Sequence, residues 1–136
     1  MTVQREIALS REHEILLRQH AKRCEPNESC AILLGRDEGG RFSISEIILT
    51  ENIDRSPATF SISGKELITA YGRSEKMGLD VAIFHSHPQS APYPSMTDRR
   101  YMEVNPVPWL IYSNLSGEMM AYILESDIIP LGVKIL

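Results

Sequence analysis

The feature that most constrains this chain is a short run, Val81, Ala82, Ile83 and Phe84, that ends abruptly in His85. Four consecutive apolar residues leave an extended strand nothing polar to show on either side, so the segment reads as a central strand covered on both faces. Such a strand needs partner strands beside it and helices above and below. The 136 residues suffice for one domain, which at this size buries about two-thirds of the surface its unfolded chain exposes.

The flanking patterns supply the partners. Residues 3–9 read as an opening strand, and Ser10 can cap a helix to about Arg23 that sets Leu17, Ala21 and Cys24 on one face before Pro26 stops it. Residues 29–35 carry the apolar run Cys30, Ala31, Ile32, Leu33, Leu34, and the turn signal Asp37, Glu38, Gly39, Gly40 leads back into a strand over 42–50. The pattern weakens around Ser56 and Pro57, a surface connection, before helical spacing returns over 64–77 with Leu67, Ile68 and Tyr71, and Gly78 as its stop. Beyond Pro88, Pro92 and Pro94, a short helix starts near Met96 and ends before Asn105, and strands fit 109–113, 119–124 and 132–136. Helices alternate with strands and no repeat or linker interrupts them. The expected fold is one α/β domain over residues 1–136, a mixed sheet flanked by helices.

Composition removes several function classes. The formal charge of −4 comes with no basic run, so the electrostatic footprint of a nucleic-acid surface is missing. Charged residues throughout the first twenty exclude a secretory signal, and no eighteen consecutive apolar residues mark a membrane span, which makes the cytoplasm the expected location. Cys24 and Cys30 are too few for a disulfide scaffold and lack structural-zinc spacing; they read as two semi-buried hydrophobes, with a local bridge left open.

The chemistry sits in His85, Ser86, His87, Pro88, then Ser95 and Asp98. Two histidines one residue apart on an extended backbone point to the same face, so both imidazoles can reach one ion. They stand at the carboxyl end of the central strand, where α/β sheets open crevices. The proline-stiffened connection can return a third ligand, and Asp98 is the candidate. Two imidazoles and one carboxylate leave one open position on a four-coordinate ion, the arrangement of a catalytic site. Taken separately the pieces are ordinary: Ser95 and Asp98 also form a capping box entering the helix. His13 and His20 have no carboxylate or cysteine at ligand spacing and read as half-exposed helix residues, while Trp109 and Tyr112 read as packing.

This segment resembles the signature of the JAMM (MPN+) metallopeptidases, zinc-dependent isopeptidases that act on ubiquitin and ubiquitin-like proteins. In that family a glutamate precedes a strand with a small, apolar run, and Glu28, Ser29, Cys30, Ala31, Ile32, Leu33, Leu34, Gly35 is similar to it, with alanine at Ala31 where glycine is usual. Asn52, Ser56, Pro57 and Phe60 are similar to the family's loop between the third strand and second helix. The resemblance implies a mixed, curved sheet between helices, related to the cytidine deaminases. It makes His85, His87 and Asp98 the ligands of one zinc ion, gives Glu28 the proton of the attacking water, and has Ser95 stabilise the oxyanion. Without it, Glu28 reads as an exposed loop carboxylate. Deaminase chemistry itself is excluded, because its His-x-Glu and Pro-Cys-x-x-Cys are absent, and so is the His-Glu-x-x-His of other zinc peptidases.

Three functions follow from the resemblance. The first is hydrolysis after the C-terminal Gly-Gly of a ubiquitin-like protein, for which a narrow groove admitting an extended chain is expected. The second is release of cysteine or another small adduct from a sulfur-carrier protein; the compact chain resembles the minimal archaeal and bacterial members, whose substrates are ubiquitin-like modifiers or sulfur carriers. The third is a non-catalytic scaffold, against which the full set of ligands, Glu28 and Ser95 argues.

Overall fold

A computed structural model describes residues 5–136. Seven strands and three helices follow in the order β1 (Glu6–Leu9), α1 (Arg11–Cys24), β2 (Cys30–Glu38), β3 (Arg41–Thr50), α2 (Gly64–Met77), β4 (Asp80–His87), α3 (Met96–Val104), β5 (Trp109–Ser113), β6 (Met119–Leu124) and β7 (Ile128–Ile135). The first residues of the expected opening strand lie outside the described range. The helices obey their local signals: Ser10, Ser63 and Ser95 each accept an N-terminal backbone N–H, and Gly78 closes α2 in the left-handed conformation at φ 63°.

The sheet is mixed, as expected, and it also closes on itself. Its order is β1-β3-β2-β4-β5-β6-β7, and β7 pairs in parallel with β1 to complete the ring. Closure pairs what would otherwise be two open strand edges, which explains why β7 begins at Ile128 rather than at residue 132: the strand must also lie along β6. β2 likewise runs to Glu38, leaving only Gly39 and Gly40, both at positive φ, to make the turn.

β4 is central, antiparallel to β2 and parallel to β5. Its alternation divides the core. Ala82 and Phe84 join an inner cluster with Ile7, Leu9, Leu33, Leu110 and Leu17 of α1. Val81 and Ile83 face the other way, toward clusters that contain Ala70 of α2 and Met102 of α3. The strand is therefore covered on both faces, which is what its unbroken apolar run requires. No helix among the described residues is long and apolar enough to cross a membrane.

The 51–63 segment adds two anchors not foreseen from the sequence. It is a surface connection without helix or strand, as expected, but Asn52 and Phe60 are buried and anchor it to the sheet. His20 departs from expectation: it is 9% exposed, and its Nε2–H donates to the Cys30 carbonyl at 2.9 Å. Both cysteines are free, and burial pushes the Cys30 thiol up to about 12, which leaves it unreactive near neutrality.

Candidate metal centre

His85 and His87 share the outer face of β4 at its carboxyl end, as the two-residue period of a strand dictates. The 88–95 connection brings α3 back so that Asp98, in its first turn, meets them. Three bonds fix that connection: Tyr122 donates to the Pro92 carbonyl at 2.7 Å, Ser113 to the Ser90 carbonyl at 2.7 Å, and His87 Nδ1–H to the Ala91 carbonyl at 2.8 Å. Tyr122 and Ser113 carry no local signal for this role, because their partners lie 30 and 23 residues away.

The result is a buried triangle. His85 Nε2 and His87 Nε2 are 3.1 Å apart, and each lies 3.0 Å from Asp98 Oδ2. All three residues are at most 3% exposed. Because a carbonyl can only accept, the Ala91 bond places a proton on His87 Nδ1 and turns its Nε2 lone pair into the triangle. Without an ion, contacts at 3.0–3.1 Å between these atoms need a shared proton; a cation between them would take that proton's place. A four-coordinate zinc at about 2.0–2.1 Å holds its ligands roughly 3.3 Å apart, so this triangle needs to open by only about 0.3 Å. Among the described residues these three form a group of His, Cys, Asp or Glu able to hold a metal ion.

The electrostatics agree. Burial lowers the His85 pKa and keeps the imidazole neutral, as a ligand must be. Burial alone would lower His87 too, but hydrogen bonds to Asp98 and Ala91 carry it above its ordinary value. Burial would raise Asp98, yet the bonds from the two imidazoles hold it well below the usual carboxylate range. In both cases the triangle favours positive charge at its centre. His85 is oriented by packing rather than by a second hydrogen bond: its Nδ1 is buried without a partner, the Phe60 ring stacks on it at 4.8 Å, and Trp109 meets it edge-on at 5.6 Å.

Glu28 lies just before β2, and the β2–β4 register explains its place. Cys30 pairs with His85, so continuing two residues further sets Glu28 opposite His87. Ser29 and Ser86 extend the ladder in that direction, with Ser86 N–H donating to the Ser29 carbonyl and the two hydroxyls 2.7 Å apart. Glu28 is 4% exposed, not an exposed loop carboxylate, and its Oε1 is buried with no partner. Burial pushes its carboxyl up to about 8, with His87 opposing the shift and Asp98 and Asp54 adding to it.

Ser95 is the N-cap of α3. Its Oγ accepts from Asp98 N–H at 3.0 Å, and its own N–H donates to Asp98 Oδ2 at 2.9 Å, a complete capping box. Capping and site-building are here one arrangement, since the box orients the carboxylate, and the Ser95 hydroxyl keeps its proton to donate elsewhere. Beside the triangle runs an apolar groove of about 230 Å3 whose walls include Ile32, Phe60, Leu67, Tyr71, Ile83 and Trp109.

A closed mixed sheet with this triangle at the carboxyl end of its central strand defines a recognised class. Residues 10–125 match the family model for prokaryotic homologs of the JAB domain, and the chain belongs to that family. The CysO-cysteine peptidases of Mycobacterium bovis and Mycobacterium tuberculosis are 36% identical to it over 80 residues, which is 58% of this chain and 53% of theirs. The chain thus matches about half the length of these curated relatives. The solution structure of a Desulfitobacterium hafniense protein superposes with a TM-score of 0.83 at 28% identity, covering 96% of this chain and 92% of that one.

Proposed function

We propose that the chain is a zinc-dependent peptidase that cleaves the peptide bond after the C-terminal Gly-Gly of a sulfur-carrier protein of ubiquitin-like form and releases a small amine such as cysteine. The observation that carries this reading is the buried, unpartnered Oε1 of Glu28, close enough to His87 and Asp98 to feel their charges, together with the three converging donor atoms. A structural carboxylate buried this deeply finds a hydrogen-bond partner; one kept free is available to a reactant. The same observation counts against a non-catalytic scaffold. Cysteine is preferred over a lysine side chain as leaving group because of the likeness to the CysO-cysteine peptidases.

His85, His87 and Asp98 would hold the ion. A divalent zinc there supplies Lewis acidity, polarising the scissile carbonyl and acidifying water to near neutrality. The remaining steps belong to the chain's own groups. Glu28 takes the proton of the attacking water as its oxygen bonds to the carbonyl carbon. The Ser95 hydroxyl donates to the oxygen on which negative charge develops. Glu28 then gives its proton to the departing nitrogen as the C–N bond breaks, leaving a Gly-Gly carboxylate and a free amine. A base that begins near pKa 8 in the metal-free site is lowered by a nearby cation, which brings it toward the working pH. The apolar groove receives the extended segment that precedes the Gly-Gly. Location in the cytoplasm is part of the same proposal.

The test offers purified protein a panel of ubiquitin-like fusions, lysine-linked and cysteine-terminated, with and without a chelator, and measures metal content alongside. Glu28→Gln should keep its zinc and lose turnover by roughly 10³-fold, and His85→Ala should lose both. Wild-type turnover by the Glu28→Gln protein would remove Glu28 from the mechanism.

A further inference from the structure

Glu28 belongs to no helix or strand, and its Oε1 has no hydrogen-bond partner, so its position is set through its backbone. Two bonds hold that backbone, and both come from the 51–63 loop. The Glu28 N–H donates to the Ser56 carbonyl at 2.8 Å, and the Glu28 carbonyl accepts from Asn52 Nδ2 at 3.0 Å.

The β2–β3 register gives the reason. The ladder ends at Cys30 paired with Thr50, and two residues further Asn52 falls opposite Glu28. There the strands part, and the side-chain amide of Asn52 takes the place of the missing rung. The amide is saturated: Nδ2 also donates to the Thr59 carbonyl at 3.0 Å, and Oδ1 accepts from Asp54 N–H at 3.0 Å and Ser61 N–H at 3.1 Å. Asn52 is itself buried. The same loop carries Phe60, whose ring stacks on His85. Extended past the strand ends, the two registers put His87, Glu28 and Asn52 in one row, with the base in the middle.

We propose that Asn52 is a positioning residue, which fixes the distance of Glu28 from the metal centre by replacing the last backbone rung between β2 and β3. It touches no ligand and no reacting atom, so it acts through Glu28. The catalytic part of this inference rests on the peptidase reading; the structural part does not. Asn52→Asp is isosteric but turns a two-donor end into an acceptor facing the carbonyls of Glu28 and Thr59, and Asn52→Ala removes the rung entirely.

Both variants should retain a full complement of zinc. With a ubiquitin-like protein ending in Gly-Gly-Cys as probe, kcat should fall about 100-fold while KM stays within about threefold, because a displaced base harms the transition state and not binding. Amide hydrogen exchange provides a second readout that needs no turnover. The Glu28 N–H should exchange at least about tenfold faster in the variants, while Ile32 and Leu33 in β2 keep their protection. Wild-type kcat in a zinc-replete Asn52→Asp protein would overturn the proposal, and so would unchanged protection of the Glu28 amide. If the wild-type protein cleaves no member of the panel, the peptidase reading fails, and the exchange data alone decide whether Asn52 sets the Glu28 backbone.

Discussion

Continuing the β2–β4 register two residues past Cys30 and His85 sets Glu28 opposite His87; the Glu28 Oε1 is buried without a partner, and the His87 Nδ1–H is committed to the Ala91 carbonyl. A carboxylate in that position is costly to ionise and close to where a cation would sit. Both properties come from one register, and they lead to predictions that can be tested separately.

The metal-free protein should show a pH-dependent penalty at Glu28. Its carboxyl is raised from 4.5 to about 8, so the folded state holds a proton that the unfolded state has released between those values. The associated stability is fully present below about pH 4.5 and is lost as the pH rises through 8. Glu28→Gln carries no such charge. Urea unfolding of both proteins in chelator should show the variant gaining on the order of 2 kcal/mol over wild type between pH 5 and 8.5. An equal difference at both pH values would mean that Glu28 is solvated.

Ser95 should show two separable losses. Ser95→Ala removes the acceptor for the Asp98 N–H and costs about 1 kcal/mol of stability, whereas glycine at an N-cap costs only a few tenths. Both variants lack the hydroxyl and should lose turnover alike, by roughly 10²-fold or more. Comparing melting temperature with kcat across the two variants checks this. Normal turnover in the Ser95→Gly protein would confine Ser95 to capping.

Tyr71 lies on the wall of the apolar groove and is 43% exposed, so its removal should not disturb the core. If the groove holds substrate upstream of the cleaved bond, Tyr71→Ala should raise KM about tenfold and leave kcat near wild type. Steady-state kinetics with a sulfur-carrier fusion measures both. An unchanged KM would place the substrate elsewhere.

Gly35 tests the fold rather than the site. It sits at the irregularity in the β2–β3 register, and a Cβ there would be driven into the Ser43 backbone carbonyl, with the Phe42 ring also within 2.9 Å. Backbone cannot rotate away as a side chain can. Gly35→Ala should therefore destabilise by about 2 kcal/mol or more in chemical denaturation, with His85, His87 and Asp98 untouched. A wild-type unfolding midpoint would show that the strand relaxes freely.

The sequence by itself determined whatever depends on neighbours along the chain. Capping serines, Gly78 as a helix stop and the unbroken apolar run of β4 are governed by contacts a few residues apart, and the elements form close to where these signals put them. The pairing of His85 with His87 on one face is equally local, because the strand period of two imposes it. Asp98 was legible for a similar reason: a capping box and a stiff loop limit where it can go. Only the tertiary structure decided the burial of Glu28, the structural part played by Asn52, the seating of Phe60 and His20, and the closure of β7 onto β1. Each of these depends on strand register, a relation between residues far apart whose free energy is set by the packing of the whole sheet. Nothing in Glu28 or its neighbours distinguishes a solvated carboxylate from a buried one until β3 and β4 lie on either side of it.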